Sequence, residues 1–558
     1  MKIQNIAIAT LAAGALALAS CNDYLDKVPD TRVELTTPEQ LRLLLVDGYS
    51  SADIAPVLEI SSDNVEDNNS TGPDGARYPY ASFDPMQDEA YQWQEIKSSL
   101  STNSPSDAWE GYYHAIAVAN AVLEAIPEME ANGLADKVAP YKGEALMIRA
   151  YNHFQLANIF CEAYRGPELS KSVMGIPYAE KPETTVKPQY DRGNLADVYD
   201  KIERDILAGL PLIDDDIYEQ PKYHFNRAAA HAFAARFFLF KRDYAKCDSL
   251  ASIAITDNPD ILMNTLWSQN FPGSTYYAQY NFSETNPHNF LITATHSLAQ
   301  RWISNGRYTC SRHAEQATFR GYGPTWPEGE TGYVCHPCFS GKIYQYDTQG
   351  VRRFFVKQVE MFEYTDKIAR TGFAHVVRTD FTIEETLLCR AEARLFLGDE
   401  EGCIADLQTW DNPRWNCTVT PRNPQPALTY ARIKAFYRDK DPGHGIVKPL
   451  NIDKVYPYPG YNLSEKDDRF IDILQCVLHF RRIENIYDGS RWFDVKRYGI
   501  ELEHQFSRYD IILTLPWDDP RRALQIPPDV LSAGFTPNKR ISLEPTGGET
   551  LVSNLEVK

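Results

Sequence analysis

Apolar residues in the first part of the chain recur at the spacing of a helix that buries one face. Between residues 143 and 161 they fall on a single stripe, formed by Leu146, Ala150, Phe154, Ala157 and Cys161. A second helical pattern runs from Tyr112 to Ile126 and ends before Pro127. Because such stripes are stable when they are buried against each other, the sequence predicts a helical hairpin near residues 112–161.

Similar patterns return further along the chain and predict hairpins near residues 195–256, 382–410 and 468–499. The stretch from Ala228 to Phe240 is apolar almost all round, so we expect it to be buried between neighbouring helices. Ala-rich helices paired across a Gly or Asp turn resemble degenerate tetratricopeptide repeats. The sequence therefore predicts a mostly α-helical protein.

Residues 265–346 interrupt this pattern. They hold 16 aromatic residues among 82, about 20% against 12% for the whole chain. Gly, Pro, Asn and Ser are interleaved with the rings, and no helical period persists. We expect a loop-rich, irregular region with short strands, and so long an irregular segment is usually functional when it is too aromatic to be disordered.

Aromatic faces stack on the apolar C–H faces of sugar rings, so this segment is the main candidate for ligand binding. Trp302 beside Arg301, and Trp326 within residues 323–327, are typical of rings on exposed loops. For any single ring the alternative is core packing. The candidate ligand-binding residues are Trp93, Trp267, Tyr276, Tyr277, Tyr280, Arg301, Trp302 and Trp326.

The N-terminal apolar run from Ile6 to Leu18 is too short to span a bilayer, which needs about 20 apolar residues. It leads into Leu-Ala-Ser before Cys21, which resembles a bacterial lipoprotein box. We interpret residues 1–20 as a removed signal peptide and Cys21 as the lipidated first residue of the mature protein. The alternative is an ordinary signal peptide with an incidental Cys. Residues 21–40 would then be a tether and lead-in, and residues 41–558 a single domain.

The net charge of −20 argues against binding to nucleic acid or to anionic lipid headgroups. Besides Cys21 the chain has nine cysteines, an odd number that rules out a fully intramolecular disulfide framework. No second stretch of the sequence resembles a membrane span.

Two polar patterns resemble metal sites, although no cofactor is predicted. Cys310-x2-His313 and Cys335-x2-Cys338 offer four ligands for tetrahedral zinc, but a disulfide of Cys335 with Cys338 or Cys310, or unconnected residues, are alternatives. The run Asp63–Asn69 offers oxygen ligands suited to calcium without the spacing of an EF-hand. A solvated loop, or one hydrogen-bonded to ligand, is the alternative there.

Both ends of the chain carry motifs of one family. Cys21 to Pro29 reads C-N-D-Y-L-D-K-V-P, Leu387 to Ala393 reads L-L-C-R-A-E-A, and Arg481 to Gly499 reads R-R-I-E-N-I-Y-D-G-S-R-W-F-D-V-K-R-Y-G. In this order they resemble the SusD/RagB outer-membrane lipoproteins of Bacteroidetes. Phe480, Asn485 and Asp488 depart from the family pattern. The family motif residues are Arg481, Glu484, Asp488, Gly489, Arg491, Asp494 and Arg497.

The spacing within the C-terminal motif favours structure over catalysis. Residues 481, 484, 488 and 491 would share one face of a helix with alternating charge, and Asp494 and Arg497 would repeat the arrangement one turn on. We expect a buried ion-pair network that joins the last helices to the helical hairpins.

The resemblance implies a SusD-like fold with four tetratricopeptide-like helix pairs and a loop-rich remainder. It also implies a lipid-anchored protein on the outer face of the outer membrane that captures an oligosaccharide and passes it to a SusC-type TonB-dependent transporter. No G-x-S-x-G, H-E-x-x-H or phosphate-binding glycine loop is present, so we do not expect an enzyme. Three alternatives remain: a RagB-type peptide binder, a surface glycoside hydrolase, and a structural transporter subunit without a ligand.

Overall fold

The computed structural model describes residues 35–69, 82, 84–182, 191–256, 274–311, 314, 318, 323–326, 344–346, 352–355, 357–414, 426–439, 446–506 and 511–540. The predicted lipidation site and several candidate residues lie outside these ranges: Cys21, Trp267, His313, Cys335 and Cys338. For Tyr277 the structure describes only the backbone.

The protein is mostly α-helical with few short strands, as predicted. Its helices are α1 (Pro38–Leu45), α2 (Ala55–Ile60), α3 (Met86–Tyr91), α4 (Pro105–Met129), α5 (Ala135–Phe160), α6 (Gly166–Leu169), α7 (Leu195–Gly209), α8 (Arg227–Lys241), α9 (Tyr244–Ile255), α10 (Ser274–Asn281), α11 (Ala299–Asn305), α12 (Ile383–Phe396), α13 (Glu400–Asp411), α14 (Tyr430–Tyr437), α15 (Ile452–Val455), α16 (Asp468–Glu484), α17 (Ser490–Arg497) and α18 (Pro528–Ser532). Among the described residues, no helix has both the length and the apolar content needed to cross a membrane.

The long helices pack against one another along the chain. α4 packs on α5 and α5 on α7, while α8 packs on α9, α9 on α12, and α12 on both α13 and α16. Side-chain caps start several of them: Ser104, Asn226, Thr382 and Asp467 each accept a hydrogen bond from a backbone N–H in the first helical turn. The predicted all-round burial of α8 is borne out, since its alanine and phenylalanine side chains are almost all buried.

Three small antiparallel sheets complete the fold. The strands are β1 (Glu66–Asp67), β2 (Asn289–His296), β3 (Tyr308–Ser311), β4 (Tyr344–Tyr346), β5 (Arg352–Phe355), β6 (Met361–Asp366), β7 (Thr371–Thr382), β8 (Leu502–Phe506) and β9 (Ile511–Leu515). They are ordered β1-β3-β5-β4, β2-β7-β6 and β8-β9. In the second sheet Thr293 pairs with Arg378 and Thr295 with Val376, which places the two strands side by side along one wall of a cleft.

Two local expectations from the sequence are wrong. Helix α4 does not end before Pro127 but continues to Met129, because a proline in the last turn removes only one hydrogen-bond donor from the helix. The aromatic segment contains two helices, α10 and α11, where only loops and short strands were expected. Helix α1 begins at Pro38, within the predicted lead-in, where Thr37 and Gln40 form a capping box.

The C-terminal motif forms a buried ion-pair network, but not on one continuous helix. Gly489 adopts a left-handed φ of +75° between α16 and α17, so residues 481–484 and 490–497 belong to two helices. Arg481 donates to Asp494 at 3.1 Å, and Arg497 donates to Glu392 on α12 at 2.7 and 3.0 Å. The two helices are thereby joined to each other and to the helical array.

Candidate functional site

A cleft lies between the β2–β7 wall, helices α5 and α8, and the turn between α16 and α17. The space between its walls is about 1770 Å³ when the part open to solvent is counted. The segment 48–58 before and within α2 closes another side. Its walls come from parts of the chain that are hundreds of residues apart, so only the folded protein forms it.

One face of α5 supplies neutral polar groups to the cleft. Ile148, Asn152 and Gln155 follow each other at helical spacing, and all three line the cleft. Gln155 Nε2 donates to the Tyr151 hydroxyl at 2.8 Å. The Tyr151 ring meets Phe225 and Phe381 edge-on, with ring centroids 5.8 and 5.4 Å apart, which fixes its orientation.

Tyr112 on α4 is a second aromatic residue of the lining. It is buried to 7% exposure, and no described residue forms a hydrogen bond with its hydroxyl. Burial raises the pKa of the Tyr112 hydroxyl well above its usual value, so the group keeps its proton. A protonated, unengaged phenol can both donate to and accept from a ligand.

The charged residues of the lining balance each other and are engaged with protein partners. Four are cationic and four acidic: Arg236, Lys357, Arg378 and Arg481, and Asp380, Glu385, Glu484 and Asp488. Arg236 donates to both carboxylate oxygens of Glu385 at 3.2 and 3.1 Å. Lys357 donates to Asp488 at 2.8 Å.

Arg378 is held between two carboxylates. It contacts the fully buried Asp53, and its Nε lies 3.4 Å from Asp380 Oδ1. Asp380 also accepts a hydrogen bond from the Thr293 hydroxyl at 2.7 Å across the β2–β7 pair. The pairing of the strands therefore brings a charge network to the wall of the cleft rather than a free charge.

Three side-chain amides of the lining are buried with one polar atom each unsatisfied. Within the described part of the chain, no partner contacts Asn152 Oδ1, Gln358 Oε1 or Asn485 Nδ2. The other end of two of these amides is anchored, since Asn152 Nδ2 donates to Ile148 O and Gln358 Nε2 donates to Tyr487 O. Buried polar atoms without partners are rare and costly.

The predicted exposure of Trp302 and Trp326 is wrong. Trp302 has no exposed surface, because α11 packs against α2 and β3. Trp326 is 3% exposed and packs beside the ring of Phe480 on α16, with centroids 5.8 Å apart. Trp93 is also buried: its Nε1 donates to Ser61 O at 2.8 Å and its ring stacks on His504.

The remaining candidates lie nearer the surface and outside the cleft. Tyr276 is 55% exposed, Tyr280 is half-buried against the core, and Arg301 forms a bidentate pair with Glu360. No candidate whose side chain the structure describes lines the cleft. The turn inside the C-terminal motif, which the sequence analysis assigned a structural role, contributes Asn485 and Asp488 to the lining.

The polar run Asp63–Asn69 is buried where a solvated loop was one expectation. Arg491 and Arg482 donate to Asp63 and Asn64, and Arg307 donates to Asp67 at 2.7 Å. Arginine side chains thus use the oxygens that were considered for calcium. Cys310 is buried in β3, and the described residues contain no cluster of three or more His, Cys, Asp or Glu that could hold a metal ion.

Comparison with known proteins supports the resemblance at the sequence and fold levels. Residues 23–239 match a family model described as SusD-like, starch-binding associating with outer membrane. No curated protein matches the chain.

Solved structures share the fold at low sequence identity. A SusD superfamily protein from Bacteroides thetaiotaomicron has a TM-score of 0.55 and 16% identity over 90% of this chain and 100% of its own. A SusD-like carbohydrate binding protein from Bacteroides vulgatus has a TM-score of 0.56 and 13% identity over 89% of this chain and 97% of its own. A laminarin binding SusD-like protein has a TM-score of 0.50 and 14% identity over 91% of this chain and 99% of its own. Residues 23–239 thus match the SusD-like family model, and the described part of the chain has a SusD-like fold.

Proposed function

We propose that the protein binds an oligosaccharide in this cleft and passes it to a SusC-type TonB-dependent transporter. The observation that carries the proposal is the mixed lining, which contains the aromatic residues Tyr112, Tyr151 and Phe225 together with three amide side chains that each keep an unsatisfied atom. Sugars present apolar C–H faces and hydroxyls together, and ligand sites typically combine apolar walls with a few placed polar groups.

Its expected location is the outer face of the outer membrane, attached by a lipid on Cys21. The family model that matches residues 23–239 is described as associating with the outer membrane. The lipoprotein box before Cys21 supports the lipid anchor. Two of the structurally similar proteins carry carbohydrate binding or laminarin binding in their names, which supports a saccharide as the ligand.

The acids of the cleft favour binding without turnover. A glycosidase needs one carboxylic acid that keeps its proton and a second carboxylate that faces the sugar. Burial alone would raise the pKa of Glu385, but Arg236 and Arg481 lower it, so this group is an ion-pair partner and not a proton donor. Asp380 and Asp488 are likewise engaged by cations.

A cleft-filling variant tests the proposal. Val377 on β7 is half-buried and lines the cleft, so Val377→Trp should occupy the ligand's space. Thr371→Trp, at the exposed start of the same strand, is the matched control. Both proteins and the wild type are titrated calorimetrically with oligosaccharide pools and with peptide pools.

We expect the wild type and Thr371→Trp to bind saccharides with equal affinity, and Val377→Trp to lose at least ~10-fold. Binding of peptides in place of saccharides would favour a RagB-type function. Release of shortened sugars during prolonged incubation would instead favour a hydrolase. Equal saccharide affinity in all three proteins would place the site outside the cleft.

A further inference from the structure

We propose that the cleft selects neutral saccharides and discriminates against sugars that carry carboxylate, sulfate or phosphate groups. This inference rests on the proposed function and specifies its ligand class. It follows from a division within the lining: the charged groups already have protein partners, whereas the groups left without partners are neutral.

The cations are the first part of the argument. An acidic sugar needs an arginine or lysine that is free to receive it. Arg378 is held by Asp53 and Asp380, and Arg236 by Glu385. Arg481 lies deepest, with its side chain 2% exposed, and donates to Asp494. None of these guanidinium groups can turn to an anionic ligand without leaving a carboxylate behind.

Lys357 is the most accessible cation of the lining, and it is engaged as well. Its side chain is 23% exposed and its Nζ lies 2.8 Å from Asp488 Oδ2. The same ammonium also donates to the backbone oxygen of Glu484. This lysine closes the turn between α16 and α17 against the segment that follows β5, so its charge holds the wall of the cleft together.

The neutral groups are the second part. Asn152 Oδ1 and Gln358 Oε1 are acceptors without partners in the described structure, and Asn485 Nδ2 is a donor without one. All three residues are at least nine-tenths buried and line the cleft. The Tyr112 hydroxyl adds a group that can do both. A sugar hydroxyl is itself donor and acceptor, so it can satisfy either kind.

Two costs fall on an acidic ligand and not on a neutral one. If it takes a cation from the protein, it leaves a buried carboxylate unpaired, which is strongly unfavourable. If it takes none, its own charge is desolvated among ion pairs that are already complete, so no cation compensates for the lost hydration. A neutral ligand breaks no ion pair, and its hydroxyls can form hydrogen bonds with the neutral polar residues of the lining.

Matched sugar pairs that differ only at C6 test the inference. The probes are β-1,4-linked oligosaccharides of equal length, glucan with glucuronan and mannan with mannuronan, titrated calorimetrically into the purified protein. We expect the neutral member of a binding pair to bind about 100-fold more tightly than its acidic counterpart. Asn152→Leu and Asn485→Leu should weaken the neutral member, with circular dichroism checking the fold.

Asp488→Asn is the variant with an opposite expectation. It leaves the Lys357 ammonium without its carboxylate, so the affinity for the acidic member should rise. The ratio of the affinity for the neutral member to that for the acidic member should therefore fall at least ~10-fold. Asp488 is 32% exposed, which makes this change easier for the fold to tolerate than a change at a buried acid. Glu168→Gln, in the exposed pair with Lys171, makes the same chemical change outside the cleft and serves as the control.

Each outcome decides between the two proposals. If the acidic member binds as tightly as the neutral one, selection of neutral sugars is overturned while saccharide capture stands. An unchanged ratio in Asp488→Asn would overturn the assignment of selectivity to the paired charges. If neither member of any pair binds, the proposed saccharide function fails and this inference fails with it.

Discussion

Arg491 donates from Nε and Nη2 to the two carboxylate oxygens of Asp63, at 2.8 and 2.9 Å, and joins residues 428 positions apart. Arg482 adds a hydrogen bond to Asn64 Oδ1 at 2.7 Å. Burial alone would raise the pKa of Asp63, but Arg482 and Arg491 hold it well below its usual range. The C-terminal motif thus fastens α17 to the loop after α2, near the start of the described fold.

Removing Arg491 should destabilise the protein strongly. Arg491→Met leaves the Asp63 carboxylate buried without its bidentate partner, and breaking a buried pair in this way typically costs about 3–5 kcal/mol. The free energy of unfolding from urea titration measures the change. Arg42→Met, which removes an exposed pair with Glu39, is the control and should leave the midpoint unchanged. Similar midpoints for the two variants would contradict a structural role for the motif.

Stability should fall as pH rises toward neutrality because of Glu59 on α2. Burial raises the pKa of this carboxyl from 4.5 to about 7, even though Asn64 and the backbone of Tyr487 donate to it. Between pH 4.5 and 7 the unfolded chain has lost this proton while the folded protein keeps it. The contribution of the protonated Glu59 carboxyl to folding stability is therefore complete below about pH 4.5 and is lost as pH rises through 7.

Glu59→Gln isolates that contribution, because glutamine keeps the shape and the accepting oxygen but does not titrate. Relative to the variant, the wild type should lose about 2 kcal/mol of unfolding free energy between pH 5 and pH 7.5, measured from urea titrations at several pH values. The free energy of unfolding of Glu168→Gln, a change at an exposed position, should vary with pH in the same way as that of the wild type. A difference between wild type and Glu59→Gln that does not change with pH would contradict the buried, proton-retaining carboxyl.

Helical periodicity was enough to predict the fold class, because most of the protein is built from helices that bury one stripe against a neighbour. It did not reveal that Gly489 divides the C-terminal motif, since the charge spacing of residues 481–491 also fits a single helix. Nor could it locate the cleft. Arg378, Asp53 and Asn485 come together only through tertiary packing, and each is unremarkable among its sequence neighbours.

The rings show a related limit of sequence interpretation. Gly, Pro and Trp in one segment indicate irregular backbone, but not which side of it faces solvent. Trp302 and Trp326 both turned out to be core residues. The polar run Asp63–Asn69 shows the converse, because acidic residues that look solvated are buried when arginines from distant helices reach them.

Trp302 should therefore matter for stability and not for recognition. Trp302→Ala removes a fully buried ring and should cost about 3–5 kcal/mol. Saccharide affinity, measured well below the variant's melting temperature, should equal that of the wild type. Tyr276→Ala, at a ring that is 55% exposed, should leave stability unchanged and serves as the comparison. A folded Trp302→Ala protein with lost saccharide affinity would contradict this division.

Cys21 should govern where the protein resides without changing what it binds. The predicted lipid contributes about 0.8 kcal/mol for each buried CH₂, and more than one acyl chain is needed for stable anchoring. Cys21→Ala should therefore abolish palmitate labelling and shift the protein from the membrane fraction to the soluble fraction. Nutrient uptake should fall with it, since a capture protein works only beside its transporter.

The binding site is expected to be independent of the anchor, because every described residue that lines the cleft lies at position 48 or later. Purified Cys21→Ala should thus keep the wild-type saccharide affinity and the same urea midpoint. Cys161→Ala, which changes a buried cysteine at the end of α5, should retain membrane association and labelling. Normal surface retention of Cys21→Ala would contradict the lipoprotein assignment, whereas lost affinity in the purified variant would contradict the independence of anchor and cleft.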